Sequence, residues 1–402
     1  MPLLNMEILR AKEMAEFDFE KSGLKVNLKE EYYNHLDMEA FYQMLKNPSY
    51  CYKFYWLEAC VKLIAEDVER TTFSEIIDEM IANAWYTVLE YHIHLSGVVL
   101  GEVRDGLERA VLLLKKLSDL PTSASKIEIK NAIKANETAM RAVKIQLTKM
   151  VPYRALAGFF DRYEKNPNWE SIGRLTLYIE EVNKLRALPY IIGRETGLNR
   201  EVAFNSFWIK MIQDNTVAIL SWIQYEKVKW LQNNNPEVPS LVYKLEPMDE
   251  NVRKLAHVHK LWDAIIDLSP VMDVFKDTVI EDKAYDVDHF IPWSFVMNDE
   301  LWNLMPMDSS LNSAKSNKLP KWDPFFKKFA RNQYLMYQLV NDGSKPEIRR
   351  LFEGCFRDNL HSIWANQELY REGNSKDEFY RILEKNMQPV YDSAKRQGYQ
   401  VW

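Results

Sequence analysis

The sequence has few cysteines and no long apolar run, which are the features of disulfide-rich secreted proteins, of cysteine zinc sites and of membrane proteins. Its 402 residues include only three cysteines, Cys51, Cys60 and Cys355, which lie far apart. A small, odd and scattered set excludes a four-cysteine zinc cage and is typical of a reducing compartment. No apolar run approaches the roughly 20 residues of a membrane helix, and the N-terminal segment has no cleavable signal pattern. We therefore expect a cytoplasmic protein.

Glycine and excess positive charge are also scarce. Only 12 glycines occur, whereas 47% of the residues are hydrophobic, and this favours a compact, mainly α-helical protein over a disordered one. No P-loop, fixed-period repeat or low-complexity segment is present, which excludes a P-loop NTPase. The formal net charge is −6. Binding to a polyanion would therefore depend on local basic surfaces.

One polar segment divides the sequence. Asn233–Ser240 contains two prolines and no hydrophobic periodicity, which is typical of a linker. We expect a multi-helix domain over residues 1–235 and a second domain over residues 241–402. The patterns of the first domain predict a helix from Met6 to Glu20 and a long central helix from Phe204 to Gln232.

Two further features of the first domain allow more than one interpretation. Ser123–Lys149 is a predicted long helix with six positive and two negative residues, a net of +4. Such a face is usually solvated, and phosphate contact is the minority alternative. Ser49–Trp56 contains five aromatic residues, which suit core packing better than stacking on nucleic-acid bases.

Thr72 and Glu75 predict a capping box at the start of another helix.

The second domain contains a short segment with a strand–strand–helix pattern. Tyr285–Ile291 alternates polar and apolar residues, which predicts a strand. Trp302–Pro306 is a second short apolar run. Asp308 or Ser309 can then cap a short helix that ends before Pro320.

Four polar residues in this segment suit the hydrolysis of a phosphodiester. His289 can act as a base that takes a proton from water near neutral pH. Asp288 and Asn312 offer the few oxygen ligands that Mg²⁺ requires, and Asn303 can bond the loop backbone and fix the hairpin. Successive strand residues point to opposite faces, so either the strand is distorted at Asp288 and His289 or one of them turns away.

A basic segment follows these residues directly. From residue 313 to residue 331 it has six positive residues and one negative residue, a net of +5. Its position beside the metal ligands favours contact with a phosphate backbone. Lys315 stands one turn after Asn312, so we also expect it to assist catalysis at the reacting phosphate. The expected nucleic-acid-binding residues are Lys315, Lys318, Lys321, Lys327, Lys328 and Arg331.

The combination of Asp288-His289, Asn303 and Asn312 resembles the signature of the HNH, or ββα-metal, nucleases. Val287–Pro292 followed by Asn312–Ser316 is similar to the HNH module of RNA-guided CRISPR nucleases. The segments DHFIPWSF and LWNLMP resemble segments of bacterial HNH endonucleases that have a long helical N-terminal region. The resemblance implies a mainly α protein whose small ββα core, about residues 282–320, is embedded in helices.

The same resemblance implies roles for individual residues. His289 would be the general base, Asp288 and Asn312 would bind Mg²⁺ or Mn²⁺, and Asn303 would support the loop. Many HNH proteins hold the hairpin with two Cys-x-x-Cys zinc pairs. This chain has none, so we expect no structural zinc.

The leading interpretation is thus a metal-dependent HNH endonuclease that cuts DNA, with RNA open as a second substrate. Family analogy suggests phage defence or restriction. For the N-terminal region, recognition, regulation, and dimerisation with itself or a partner protein all stay open. The alternative is a non-cleaving nucleic-acid-binding or scaffold protein that retains an HNH fold, and the four intact motif positions argue against it.

Overall fold

The computed structural model describes residues 26, 29, 35–96, 98–99, 102–103, 105–160, 167–185, 187–246, 253–280 and 283–402. The chain divides into two compact units, residues 1–235 and residues 236–402. The predicted helix Met6–Glu20 lies outside the described residues. No helix in the described ranges is long and apolar enough to cross a membrane.

The first unit is mainly helical, as the sequence predicts. Its described helices are α1 Met38–Gln43, α2 Tyr52–Ala65, α3 Phe73–Leu89, α4 Gly106–Leu117, α5 Lys126–Ala135, α6 Glu137–Thr148, α7 Val151–Arg154, α8 Ala157–Phe160, α9 Ile172–Leu185, α10 Ser206–Asp214 and α11 Thr216–Asn234. The predicted capping box is confirmed, because Thr72 Oγ1 accepts the Glu75 N–H and Glu75 Oε2 accepts the Thr72 N–H.

A small antiparallel sheet accompanies these helices, and the sequence patterns did not indicate it. Strands β1 (Arg70–Thr72), β4 (Tyr190–Ile192) and β5 (Glu201–Phe204) pair in the order β1-β5-β4. A separate two-residue pair joins β2 (Val98–Val99) to β3 (Glu102–Val103). Strands of three or four residues are too short to show a clear alternation of polar and apolar residues.

Two predicted long helices are each broken at an asparagine. The helix predicted over Ser123–Lys149 is α5 and α6, and the one over Phe204–Gln232 is α10 and α11, with Phe204 itself in β5. At the breaks, the Asn136 side chain donates to the Ala132 carbonyl at 2.9 Å, and that of Asn215 donates to Met211 at 2.9 Å. Each asparagine also leaves the helical φ/ψ region at the break, with φ −111° and ψ 20° at Asn136 and φ −127° and ψ 20° at Asn215.

Three of the six cations of α5, α6 and the residue after them are paired with carboxylates of α3. The ammonium groups of Lys126 and Lys130 both bind Glu79, whose side chain is buried. Lys144 is fully buried and lies 2.8 Å from Asp78. These three cations therefore compensate internal acids, whereas Lys134, Arg141 and Lys149 of the same segment are exposed.

The second unit surrounds a two-stranded hairpin with helices. Its described elements are α12 Ala256–Leu268, β6 Asp286–His289, α13 Trp293–Val296, β7 Leu304–Met307, α14 Ser309–Lys315, α15 Trp322–Val340, α16 Pro346–Gly354, α17 Phe356–Asn359 and α18 Lys376–Arg396, with a 3₁₀ turn at Leu301–Asn303 and a π turn at Ala365–Leu369.

Helix α15 provides the apolar and polar support of the hairpin. The Phe290 ring is fully buried and lies 4.9 Å from the ring of Phe329, centroid to centroid. Gln333 is also fully buried, and its amide donates to the carbonyl oxygen of Leu304 at 2.7 Å. Buried aromatic contacts and a satisfied buried amide therefore fix β7 against this helix.

Lys244 is a buried cation in the second unit. Its ammonium donates to the carbonyl oxygen of Phe295 and lies 5.0 Å from the centroid of the Phe295 ring. In the described part of the chain no carboxylate pairs with it, and burial lowers its pKa to about 7. An unfolded lysine titrates near pH 10.4, so between pH 7 and about 10 the unfolded chain binds more protons than the folded one.

We therefore expect the stability of this unit to rise with pH over that window, by at most about 1.4 kcal/mol per pH unit. Lys244→Met should remove the rise. Chemical denaturation at pH 7 and pH 9 measures it, with Lys260→Met, at an exposed position of α12, as the matched control. Equal pH slopes in the parent and Lys244→Met would contradict the expectation.

Candidate active site

The hairpin is regular where the motif lies. Strand β6 pairs with β7 in an antiparallel register that joins Asp286 to Met307 and His289 to Leu304, without a bulge. This settles the question left open by the sequence: the strand is undistorted, so Asp288 and His289 point to opposite faces. Burial follows the same alternation, since Asp286 and Asp288 are half-buried whereas Val287 and His289 are buried.

The face that carries the aspartates lines a cavity of about 410 Å³, together with Asn312 from α14. The Asn312 side-chain nitrogen donates to Asp286 Oδ2 at 3.0 Å, and Ser309 Oγ donates to Asp286 Oδ1 at 2.9 Å. The first bond fixes the orientation of the amide and leaves Asn312 Oδ1 as its acceptor. Helix α14 begins as predicted, because Asp308 Oδ1 accepts the Ser310 N–H at 3.0 Å.

Lys315 has a different environment from the one expected. Its ammonium lies 2.8 Å from Asp288 Oδ2 and 2.8 Å from the carbonyl oxygen of His289, and its side chain is 1% exposed. The last turn of α14 is thereby tied to β6 by a buried ion pair. The expectation that this ammonium reaches out to a phosphate is not met by this geometry, because the side chain is directed inward.

His289 lies on the other face of the strand and is fully buried. Its Nε2 is 3.1 Å from the carbonyl oxygen of Asn298 and 3.1 Å from Asp299 Oδ1. Its Nδ1 is 3.3 Å from a terminal nitrogen of Arg253. Two acceptors beside Nε2 place the ring proton there, so Nδ1 is the nitrogen with the free lone pair, and it accepts from Arg253.

The electrostatics keep this imidazole neutral. Burial lowers the pKa of His289 below its ordinary value, and this outweighs the opposing hydrogen bond to Asp299. For Asp299, burial raises the pKa, but hydrogen bonds from His289 and from the Lys254 N–H outweigh burial and hold it below the ordinary range. A neutral imidazole beside an ionised carboxylate is the protonation state that a general base requires.

Asn303 makes the hydrogen bonds to loop backbone that its position predicts. Its Oδ1 accepts the Ile291 N–H at 2.8 Å, and its Nδ2 donates to the Ile291 carbonyl at 2.9 Å. The side chain is fully buried. The loop between the strands is also bonded from the C-terminal side, because Asn359 donates to the carbonyl oxygen of Asp299 at 2.9 Å. The loop that contacts His289 is therefore held at both ends.

Sequence reasoning did not identify three residues of this site, namely Asp286, Arg253 and His259, all of which line the cavity. Asp286 could have been found, because a residue two positions before Asp288 shares its strand face. The ring of His259 lies 5.6 Å from that of Tyr285, centroid to centroid. No periodicity in the sequence indicates that Arg253 lies beside His289.

The remaining residues of the basic segment lie beyond the cavity lining. Lys321, Lys327 and Arg331 are exposed, and Lys318 is half-buried. Lys328 forms an ion pair with Asp277 at 2.5 Å. Most of this segment therefore presents its charge to solvent, next to α14.

The donor set suits a hard divalent cation. Asp288 and Asn312, a carboxylate and an amide, line one cavity, and Mg²⁺ and Mn²⁺ favour such oxygen ligands. No group of three or more His, Cys, Asp or Glu side chains suited to a metal occurs in the described ranges. Cys51, Cys60 and Cys355 are free and buried.

Asn303 provides a test of the hairpin that is independent of activity. Asn303→Ala leaves the N–H and carbonyl of Ile291 without their partner, so we expect a loss of about 2–4 kcal/mol in the free energy of unfolding. Asn386→Ala is the matched control, because this half-buried amide bonds only the preceding turn of α18, and it should cost less than about 1 kcal/mol. Equal losses in urea denaturation would contradict the supporting role of Asn303.

One comparison with known proteins bears on this geometry. A family model described as HNH endonuclease matches residues 273–321. No curated protein and no solved structure matches the chain. The matched segment begins at Asp273, whose buried carboxylate accepts the Asp308 N–H at 2.9 Å, and it includes β6, β7 and α14. Over residues 273–321 the second unit of this chain is therefore similar to the HNH endonuclease family.

Proposed function

We propose that the protein is a metal-dependent endonuclease that hydrolyses phosphodiester bonds in DNA. The observation that carries the proposal is the arrangement on β6 and α14. Asp288 and Asn312 share one cavity, and a neutral buried imidazole occupies the next position of the same strand. These are the groups needed to bind a divalent cation and to remove a proton from water.

Asp288 and Asn312 would hold the cation, which when bound would offset charge on the scissile phosphate. Asp286 acts as a positioning residue, because its hydrogen bond fixes the Asn312 amide. The Lys315 ammonium binds Asp288 Oδ2, so Asp288 Oδ1 is the oxygen that would bind the cation. The contribution of Lys315 is then to hold a ligand rather than to contact phosphate.

His289 would be the general base through Nδ1. The hydrogen bonds of Nε2 to Asn298 and Asp299 hold its proton, so only Nδ1 can accept one from the attacking water. The water oxygen bonds to phosphorus, the bond from phosphorus to the leaving oxygen breaks, and that oxygen takes a proton from solvent. Asp299 stabilises the imidazolium that forms.

Arg253 lies between this nitrogen and the cavity, since it both contacts Nδ1 and lines the cavity. Its guanidinium is anchored by a 3.1 Å hydrogen bond from Nε to Asp299 Oδ1. We propose that Arg253 binds the scissile phosphate and leaves Nδ1 when substrate enters. A guanidinium is suited to this role because it matches phosphate oxygens in a planar fork.

Two finer points belong to the same proposal. The substrate is DNA, with RNA as a second substrate to be tested in the same assay, and the biological role by family analogy is phage defence or restriction. The alternative is a protein that keeps the fold and binds nucleic acid without cutting it. A nicking assay on purified protein with Mg²⁺ and Mn²⁺ separates the two.

His289 and Asp288 are predicted to have separable roles in cleavage. We expect His289→Ala to lower the cleavage rate by about 10²–10⁴-fold, because the base is lost, while Mn²⁺ binding measured by electron paramagnetic resonance is retained. Asp288→Asn should lose both cleavage and Mn²⁺ binding. His361→Ala, at an exposed position of the same unit, is the control and should cut at the parental rate.

Retained Mn²⁺ binding in His289→Ala also shows that the site is still folded after this buried substitution. If that variant binds Mn²⁺ and cuts at the parental rate, His289 is not the base. If Asp288→Asn binds Mn²⁺ as the parent does, the cation lies elsewhere.

The second prediction concerns the basic segment. Lys327→Ala with Lys328→Ala should weaken DNA binding equally on all sequences and lower the slope of log affinity against log salt by about one to two units, about one for each lost phosphate contact. Because Lys328 is paired with Asp277, most of the change should come from Lys327. Lys385→Ala with Lys395→Ala removes two exposed lysines of α18 and should leave the slope unchanged. Equal slopes in the parent and in both double variants would move the DNA path to another surface.

A further inference from the structure

We propose that the N-terminal unit contains a binding site for a nucleotide, which it holds by the phosphates and by the base. The site is a cavity of about 660 Å³ enclosed by α1, α2, α4, α6, α7 and α8 and by the loop before α2. Small-molecule sites commonly have volumes of 300–1,000 Å³. The proposal does not depend on the nuclease activity, because every residue of this cavity belongs to the first unit.

The charge of the lining is one-sided. Lys46, Lys53, Arg109 and Arg154 contribute cations, and among the residues that the structure describes no aspartate or glutamate lines the cavity. Among the described residues, no carboxylate forms an ion pair with Arg109 or Arg154, and both are exposed. In a protein with a net charge of −6, four cations around one concave site favour an anionic ligand. Guanidinium groups in particular suit phosphate oxygens.

Aromatic rings accompany these cations. Tyr50 and Tyr52 are stacked with ring centroids 5.3 Å apart and planes 18° apart, and Tyr50 is 48% exposed. Across the lining, the Arg154 guanidinium lies 5.4 Å from the centroid of the Trp169 ring. An exposed ring that is already stacked on one side offers its other face to a planar group, and every nucleobase has such a face.

The aromatic residues of Ser49–Trp56 therefore lie in two environments, the core and the cavity lining. Phe54, Tyr55 and Trp56 are buried in the core, as the sequence analysis expected. Tyr50 and Tyr52 precede or begin α2 and line the cavity. A bare inorganic anion needs cations but no ring, whereas a nucleotide needs both. The ligand with this combination of chemistry is a nucleotide, either free or as one unit of a single strand.

The test is isothermal titration of the full chain in the presence of a chelator. The probes are the four ribonucleoside triphosphates, a short single-stranded oligothymidylate and inorganic triphosphate. Arg109→Gln with Arg154→Gln should weaken nucleotide binding by about tenfold or more. Tyr50→Ala should weaken it by about fivefold or more while leaving triphosphate binding unchanged. All three positions are exposed, so the variants should melt at the parental temperature.

The matched control is Arg141→Gln with Arg174→Gln, which removes the same charge at two exposed positions that do not line the cavity. Nucleotide binding should be unchanged in it. The part of the affinity that is lost in Arg109→Gln with Arg154→Gln is the affinity of this cavity. If the mononucleotides show this loss, the ligand is a free nucleotide. If the oligonucleotide binds more tightly and shows the loss, the ligand is one unit of a single strand.

Three results would overturn the proposal. The first is that no probe binds saturably. The second is that the control pair weakens binding as much as Arg109→Gln with Arg154→Gln. The third is that inorganic triphosphate binds as tightly as the nucleotides and Tyr50→Ala has no effect, which would leave an anion site without a base.

Discussion

The antiparallel pairing of Asp286–His289 with Leu304–Met307 is the constraint on which the rest of the site depends. Its two-residue period sends the two aspartates to one face and His289 to the other. The carboxylates thereby face a cavity, where a hydrated cation can approach. The imidazole is placed in the protein interior, where burial and two acceptors at Nε2 fix both its neutrality and its tautomer. One backbone register therefore places the carboxylates and the imidazole in separate environments.

The register is in turn held by buried side-chain amides. Asn303 bonds both backbone groups of Ile291, and Gln333 bonds the carbonyl of Leu304 from α15. Asn359 bonds the loop at Asp299. Each of these amides is fully buried, so each lost bond would leave a backbone group unsatisfied in a place that water does not reach. Precise positioning of the site thus comes from neutral polar groups in an apolar surrounding.

The features of the site that depend on residues close together in the chain could be predicted from the sequence. The alternation around Val287, the Asp308 cap and the reach of Asn303 to the loop all depend on neighbours within about 12 residues, and the structure has each of them. Arg253 lies 36 residues before His289, and no periodicity records such a contact. The inward direction of Lys315 was missed for a related reason: helical spacing gives the side of the helix but not what is packed against it. The breaks at Asn136 and Asn215 are changes of backbone dihedral at single residues, and the apolar periodicity of the two segments does not record them.

The buried pair between Lys315 and Asp288 has a consequence for how this domain would respond to metal supply. A carboxylate site without a cation normally carries unbalanced negative charge, which repels neighbouring acids and loosens the fold. In this domain an ammonium on the same helix as Asn312 already acts as an internal counter-ion. On the proposed function, folding of this domain would therefore not depend on the cation, in contrast to zinc-dependent modules, which are unfolded without their metal. Metal supply would then decide when the protein cuts without deciding whether it is folded.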